Sequence, residues 1–242
     1  MCGRYALSQG AEDLALEFDA DELPAAFVPA DWNISPTKPI YFIAGKDSTG
    51  LKRKIDIALW GLIPNWSKNS SSASNTINAR VETVFEKPSF SSAFRYRRCL
   101  IPADGYYEWA TTLGPFPPKQ PFYISNENRS SLAMAGIFEM WKNPRDGKVI
   151  TSAAILTRES VGDISKIHTR MPVLLPPDRW SKWLSIVPIP DNGVAEYLDL
   201  LKTKDPATGL IAHPVRTDVN SARNSGPHLI EEVELGEPET LF

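Results

Sequence analysis

Residues 98–110 read RCLIPADGYYEWA and contain two short runs of apolar and aromatic side chains. We interpret these runs as strands over 98–101 and 105–110, because aromatic and branched apolar residues favour extended backbone. Similar strands are predicted on both sides of this stretch, at 40–44, 51–60, 121–125, 131–139, 149–157 and 211–217. The middle of the chain is therefore predicted to consist of short strands joined by loops.

Helices are predicted mainly at the flanks, at 8–18, 89–96, 177–184 and 194–201, with a helical turn starting in 76–83. Ser8 is expected to cap the first helix, because its hydroxyl can accept from free amides of the first turn. This arrangement favours an α+β fold with a largely antiparallel, barrel-like β core flanked by short helices. We predict one domain over residues 1–230, followed by an acidic tail at 231–242.

The composition of the 242-residue chain, 42% hydrophobic and 23% charged, is typical of a soluble globular protein. No apolar run approaches the roughly 18 residues of a membrane span, and charged residues interrupt any signal-peptide pattern at the N-terminus. Cys2 and Cys99 are therefore expected to be free thiols in a reducing, intracellular compartment, nuclear in a eukaryote and cytoplasmic in a bacterium. No cysteine or histidine pair has ligand spacing, so we predict no metal and no other cofactor.

The net charge of −3 gives no general support for nucleic-acid binding, but the charge is unevenly distributed. Residues 231–242 hold five glutamates and no lysine or arginine, and the remainder has 26 basic and 24 acidic side chains. An anion-binding surface must therefore be a local patch. Its candidate residues are the cations Arg4, Arg80, Arg95, Arg97, Arg98 and Arg170, and the stacking side chains Trp66 and Trp109, for which a core position is the alternative.

The chain begins Met1-Cys2-Gly3-Arg4-Tyr5, and removal of the initiator methionine would leave Cys2 at the N-terminus. The α-amine and the thiol have reference pKa values of about 7.7–8.0 and about 8.5, so part of each is reactive near neutral pH. The amine condenses with an aldehyde to a Schiff base, on which the thiol can close a thiazolidine ring. A cysteine near a start codon usually has no such role, so the other residues of the chain must decide whether Cys2 reacts in this way.

Two further side chains can transfer protons. Strand alternation places Glu108 on the same face as Tyr106, and burial among aromatic rings would raise its pKa into the range of a general acid or base. A solvent-exposed glutamate is the alternative. His168 lies in a predicted loop and can move protons near neutral pH. Asn78 is also compatible with a helix cap, and Arg80 with a solvated face.

Several motifs follow one another along the chain: MCGRY at 1–5, WNISPT at 32–37, WGLIPNW at 60–66, NARVET at 78–83, PADGYYEW at 102–109, HTRMP at 168–172 and HPV at 213–215. In content and order they resemble the SRAP (SOS-response-associated peptidase) family of abasic-site-processing proteins. The resemblance covers nearly the whole chain up to the acidic tail.

The resemblance implies an enzyme that binds single-stranded DNA containing an abasic site and protects it during the DNA damage response. Cys2 would form a thiazolidine cross-link with the C1′ of the ring-opened deoxyribose. Glu108 would assist ring opening and imine formation, His168 would transfer protons and take part in reversal, and Asn78 would hold the reacting group. The Schiff base also permits weak lyase activity, and the peptidase name would describe removal of Met1.

The resemblance further implies which residues contact DNA, without a cofactor or a membrane, in a monomer. Phosphates would be held by Arg4, Arg80 and Arg170, and the channel would be lined by Asn33, Pro36, Trp66, Trp109 and Thr157. The chain departs from the family pattern at three positions, which concern tuning of the histidine and the DNA path: Ser67, Thr169 and Arg216.

Two other functions are alternatives. The first is a cysteine peptidase acting on other proteins, with Cys2 as nucleophile and His168 as base. Such an enzyme would tolerate a blocked α-amine, whereas the cross-linking reaction requires a free one. The second is a non-catalytic single-stranded DNA binder, whose affinity would not depend on Cys2.

Overall fold

The computed structural model describes residues 3–111, 114–202 and 207–235, and its strands form two sheets. The strands are β1 Tyr5–Leu7, β2 Asp31–Ile34, β3 Pro39–Gly45, β4 Arg53–Trp60, β5 Asn78–Arg80, β6 Arg98–Ala103, β7 Gly105–Trp109, β8 Pro121–Asn126, β9 Leu132–Lys142, β10 Val149–Glu159, β11 Arg170–Pro172 and β12 Leu210–Pro214. The α-helices are α1 Ala11–Phe18, α2 Ser91–Tyr96, α3 Pro177–Leu184 and α4 Val194–Leu200. Within the described ranges, no helix has the length and apolar character needed to cross a membrane.

Five strands close into a barrel in the order β10-β4-β3-β6-β9, because β9 pairs back onto β10. The β10–β4 pairing is parallel, and the other pairings of the barrel are antiparallel. Every residue of β6 is buried, as expected for a strand covered on both faces. Closure satisfies the backbone groups that an open sheet would leave at its edges. The short strands β5 and β11 attach to β10 outside the ring.

The second sheet is antiparallel throughout and has the order β12-β8-β7-β1-β2. Alternation along β7 sends Tyr106 into the main core and Tyr107 into a smaller core on the other face. Tyr5 of β1 meets Trp60 of β4 edge to face, with ring centroids 5.1 Å apart. This aromatic pair joins the second sheet to the barrel.

The predicted α+β fold with a barrel-like core is confirmed, and α3 has the predicted bounds. Two local predictions are wrong. Ser8 does not cap α1, which begins after Gly10; the Ser8 amide instead donates to Oδ2 of Asp104 at 2.7 Å. Residues 78–80 form β5 rather than a helical turn, because β10 supplies backbone partners that local propensity cannot anticipate.

The division at residue 230 stays a prediction. The amide of Val233 donates to the carbonyl of Pro214 at 3.0 Å, and Val215 forms a β-bridge with Glu232. The first residues assigned to the acidic tail therefore pack beside β12. Residues 236–242 lie outside the described residues.

Arg98 joins two helices to the barrel from the first position of β6. The residue is only 3% exposed, and its guanidinium donates to the carbonyls of Trp183 and Arg95, at 2.9 and 2.6 Å. It also donates to the carbonyls of Phe94, Ser185 and Val187. Carbonyls at the C-terminal ends of helices lack intrahelical partners, and a cation satisfies them well. Arg98 therefore stabilises the ends of α2 and α3.

We expect Arg98→Met to lower the free energy of unfolding by about 3 kcal/mol, because several buried carbonyls lose a charged donor. Urea unfolding monitored by tryptophan fluorescence measures the change. The matched control is Arg145→Met, at an exposed position in the loop after β9. Equal unfolding midpoints for the two variants would contradict the assigned role of Arg98.

Candidate active site

Glu108 is a buried acid in β7. Glu108 is 1% exposed and pairs with Phe122 of β8 in the antiparallel register. Burial raises the pKa of Glu108 to about 7, because a carboxylate loses solvation in apolar surroundings. The sequence left a buried and an exposed position open for this residue, and the structure has the buried one.

His168 lies in the loop between the 3-10 turn Gly162–Lys166 and β11. Its Nδ1 is 3.7 Å from Oε2 of Glu108. The backbone N–H of Arg170 donates to the same Nδ1 at 3.0 Å, and the carbonyl oxygen of Arg170 lies 3.3 Å from it. Because the backbone N–H can only donate, the shorter contact favours a neutral ring with its proton on Nε2. Burial lowers the pKa of His168, so the ring is largely neutral at pH 7.

The pKa values of Glu108 and His168 shift in opposite directions, that of Glu108 upward to about 7 and that of His168 downward. Near pH 7 the carboxyl group exists in both protonation states, and the neutral histidine can accept a proton. A carboxyl group that is partly protonated near neutral pH, beside a neutral imidazole, is suited to general acid and general base steps. The pair can therefore exchange protons with a molecule bound beside it.

A second set of predicted site residues meets around β10. Arg80 of β5 pairs in register with Thr157 of β10, and strand alternation places Asn78 on the same face as Arg80. Arg170 of β11 donates from Nη2 to the carbonyl of Thr157 at 2.7 Å, while its backbone amide holds His168. The three strands thus bring Arg80, Thr157 and Arg170 together, and Arg170 connects this set to His168.

A third set lies around β1, β2 and β7. Nη1 of Arg4 donates to Oδ1 of Asn33 at 2.7 Å and to the carbonyl of Val219 at 2.8 Å. Its guanidinium carbon lies 5.9 Å from the ring centroid of Trp109, and the indole N–H of Trp109 donates to Oδ1 of Asn220 at 2.6 Å. Three predicted DNA-contact residues are therefore joined by a segment near the end of the chain.

The pairing of β1 with β7 directs the start of the described chain toward Glu108. The amide of Tyr107 donates to the carbonyl of Arg4 at 2.9 Å. The same antiparallel register sets Gly3 beside Glu108. Cys2, the predicted nucleophile, lies outside the described residues.

The remaining predicted channel residues, Pro36 and Trp66, lie in loops. Pro36 is half-buried in the turn after β2. Trp66 follows β4, is 63% exposed and donates its indole N–H to the carbonyl of Pro88 at 3.4 Å. A core position, the alternative for Trp66, is therefore wrong, and its exposed ring can stack on another flat group.

Three arginines proposed for an anion-binding patch have structural partners instead. Arg98 is buried, so its assignment to an exposed groove is wrong. Arg95 forms an ion pair with Asp191 at 2.8 Å, and Arg97 forms one with Glu139 at 2.6 Å. These charges support the fold around α2.

The sequence did not indicate Glu82, Val219 or Asn220 as parts of the site. Glu82 binds Arg170 through both carboxylate oxygens. Val219 is 215 positions from its partner Arg4. No local pattern encodes such a contact, so only the tertiary structure reveals it.

The family described as SOS response associated peptidase (SRAP) matches residues 1–222 of the chain. Among curated relatives, abasic site processing protein YoqW of Bacillus subtilis (strain 168) is 35% identical over 232 residues, 96% of this chain and 99% of YoqW. Abasic site processing protein HMCES of Gallus gallus is 32% identical over 219 residues, 81% of this chain and 62% of HMCES. These relatives match over most of the chain.

Two solved structures are similar in fold. A protein from Bacteroides thetaiotaomicron has a TM-score of 0.79 and 24% identity, covering 96% of this chain and 100% of its own. A protein from Bordetella bronchiseptica has a TM-score of 0.72 and 28% identity, covering 89% of this chain and 100% of its own. At 24% identity, the similarity to the Bacteroides thetaiotaomicron protein supports the fold alone.

We expect Glu108→Gln to become more stable relative to the unmodified protein as pH rises from 5 to 8. The carboxyl group in the unfolded chain loses its proton near the ordinary glutamate value of 4.5, but the folded group, with a pKa of about 7, keeps its proton longer. Between these values the unfolded state binds fewer protons, so ionisation lowers the stability of the unmodified protein with rising pH, by about 3 kcal/mol. The amide in the variant does not titrate.

Urea unfolding of both proteins at pH 5 and pH 8 measures this difference. His168 has a lowered pKa and contributes stability that rises with pH, but it is present in both proteins, so the comparison isolates Glu108. Glu127→Gln, at an exposed position after β8, controls for loss of a negative charge. A stability difference that does not change with pH would contradict the raised pKa of Glu108.

Proposed function

Because the chain belongs to the SOS response associated peptidase (SRAP) family, we propose that it processes abasic sites in DNA, the activity that its relatives' names state for those proteins. The proposal extends to a covalent reaction, in which Cys2 cross-links to the abasic deoxyribose in single-stranded DNA. The observation that carries it is the Glu108–His168 pair beside the start of β1. An intracellular location and a monomeric state belong to the same proposal.

The reaction proceeds through an aldehyde. Ring opening of the abasic sugar moves the hydroxyl proton of the C1′ hemiacetal to a base and returns a proton to the ring oxygen. The α-amine of Cys2 then adds to C1′, and loss of water leaves an imine. Addition of the thiol to the imine carbon forms the carbon–sulfur bond and closes the thiazolidine, so one water is released overall.

Each proton transfer needs a nearby group with a suitable pKa. Glu108 in its protonated state can donate to the leaving hydroxyl, and in its ionised state it can accept from the amine. His168, neutral near pH 7, can accept the C1′ hydroxyl proton during ring opening. Asn78 would hold the reacting sugar. Holding both reactants in one place makes the condensation effectively unimolecular, which removes much of its entropic barrier.

The basic and aromatic side chains around the pair fit a single strand of DNA. Arg80 is exposed on β5, Arg170 contacts His168 through its backbone amide, and the carbonyl of Arg4 accepts from the amide of Tyr107, the neighbour of Glu108. With Trp66 exposed for stacking on a base, they would bind phosphates and bases without reading sequence. The Schiff base also allows β-elimination, so weak lyase activity belongs to the proposal, as does removal of Met1.

We expect a stoichiometric covalent adduct when the protein is incubated with a single-stranded oligonucleotide carrying one abasic site. Intact-mass spectrometry should show protein plus oligonucleotide minus one water, because imine formation releases one water and thiazolidine closure releases none. Cys2→Ala should give no heat-stable adduct, since a thiazolidine cannot form without the thiol. A form that retains Met1 should give none either, because its α-amine and thiol are on different residues.

Two results would overturn the proposal. One is the absence of an adduct from protein whose mass confirms that Met1 is removed. The other is turnover of peptide substrates with an acetylated α-amine on Cys2, which would favour the peptidase alternative. Unchanged DNA affinity in Cys2→Ala together with no adduct in the unmodified protein would favour the non-catalytic binder.

We expect Arg80→Ala to weaken binding to single-stranded DNA without an abasic site and to reduce the salt dependence of that binding. Each neutralised phosphate contributes a slope of about −0.7 in a plot of log affinity against log salt for single strands, so loss of one contact reduces the slope by about 0.7. Fluorescence anisotropy at several salt concentrations measures it. Arg145→Ala is the control, and an Arg80→Ala slope equal to that of the control would contradict a phosphate contact.

A further inference from the structure

Glu82 and Arg170 form a two-point ion pair beside the candidate site. Nη1 and Nη2 of Arg170 donate to Oε1 and Oε2 of Glu82 at 2.7 and 3.0 Å. Such a paired geometry fixes the plane of the guanidinium as well as its position. Burial is the largest single effect and acts to raise the pKa of Glu82, but the bonds from Arg170, a backbone hydrogen bond and the charges of Arg170 and Arg80 together lower it, so Glu82 is ionised at neutral pH.

This ion pair differs from an ordinary surface pair. The Arg170 side chain is only 13% exposed, and its Nη2 also donates to the carbonyl of Thr157, a fully packed residue of β10. Exposed pairs between flexible side chains contribute little, because ordering both chains offsets their attraction. Here the pairing of β11 with β10 and the hydrogen bond to Thr157 already order Arg170. The Glu82 carboxylate therefore binds a side chain whose position is fixed.

The arrangement continues from the Arg170 side chain to the imidazole of His168. The backbone amide of Arg170 donates to Nδ1 of His168 at 3.0 Å. Glu82 therefore holds the side chain of the residue whose backbone N–H makes the shorter of the two main-chain contacts with Nδ1 of His168. Second partners of this kind orient a functional histidine and select its tautomer.

We propose that Glu82 is a positioning residue, which acts through Arg170 to hold His168 in the Nε2-protonated tautomer next to Glu108. The inference rests on the proposed function for its consequence, since a misplaced His168 would slow proton transfer to the abasic sugar. It concerns a residue that does not itself touch the reacting atoms. It also predicts that the ion pair acts on proton transfer rather than on DNA affinity.

The test measures the imidazole nitrogens directly. The chain has three histidines, so the ¹⁵N resonances of His168 can be assigned by comparison with His168→Ala. At pH 8 the unmodified protein should show two widely separated nitrogen shifts, as one neutral tautomer requires. In Glu82→Gln the separation should shrink because both tautomers become populated, and the single-turnover rate of adduct formation should fall about tenfold or more.

The matched control is Glu86→Gln, which removes the same charge four positions later at an exposed site. It should leave both the nitrogen shifts and the rate unchanged. Glu82→Asp keeps the charge on a shorter stem and should give intermediate values of both. Equal melting temperatures of the variants would show that each is folded. Because the Glu82 side chain is 46% exposed, substitutions at this position should not disrupt the fold.

An unchanged nitrogen separation in Glu82→Gln overturns the proposal. Tighter binding of intact single-stranded DNA together with that result would show instead that Glu82 competes with phosphates for Arg170. If the unmodified protein forms no adduct, the proposed function fails, and the nitrogen shifts still decide whether Glu82 positions His168. The two hypotheses are therefore tested separately.

Discussion

The backbone hydrogen bonds of β10 are the constraint on which the rest of the structure depends. Val149–Ile155 pairs with β9 and closes the barrel, and the same strand continues through Ile155–Glu159 to hold β5 and β11. One extended segment therefore supports both the core and the candidate site. Movement of β10 would open the barrel, so the barrel's stability keeps Arg80 and Arg170 at fixed positions relative to each other.

The candidate site is rigid, and it also buries two ionisable side chains at a cost in stability. Glu108 lies in surroundings that disfavour its charged form, and His168 lies where its charged form is disfavoured as well. Each shift lowers the stability of the fold over part of the pH range. The same shifts leave Glu108 partly protonated near neutral pH beside a neutral imidazole, a combination suited to proton transfer in the proposed reaction. The stability lost at these positions is offset by the large core around them.

The roles of the arginines show how one residue type divides between fold and function. Arg98 is surrounded by carbonyls at the ends of two helices, and Arg53 is likewise buried, donating to the carbonyls of Phe18 and Gly50. Arg80 stays exposed on β5. In the sequence all three are arginines near apolar strands, and their charge alone cannot separate them. Burial decides whether an arginine supports the fold or is available for binding, because a buried guanidinium must satisfy its donors within the protein.

Side-chain patterns among residues close together in the sequence predicted much of the fold. The strand periods in β4, β8, β9 and β10 and the bounds of α3 follow from local side-chain spacing. The strands β1, β2 and β11 have three or four residues, too few for a period to be visible, and β5 depends on a partner far along the chain. For these segments, long-range backbone pairing decides the structure.

The sequence by itself determined the α+β class and the strand face shared by Tyr106 and Glu108, and it predicted the acid, the histidine and the arginines of the candidate site. Alternation and motif order are properties of neighbouring residues, so they can be read without coordinates. Only the tertiary structure decided that Glu108 is buried, that His168 meets it, and that Glu82 and Val219 hold Arg170 and Arg4. These contacts join residues separated by 60 or more positions, and pairing and packing of the whole chain bring them together.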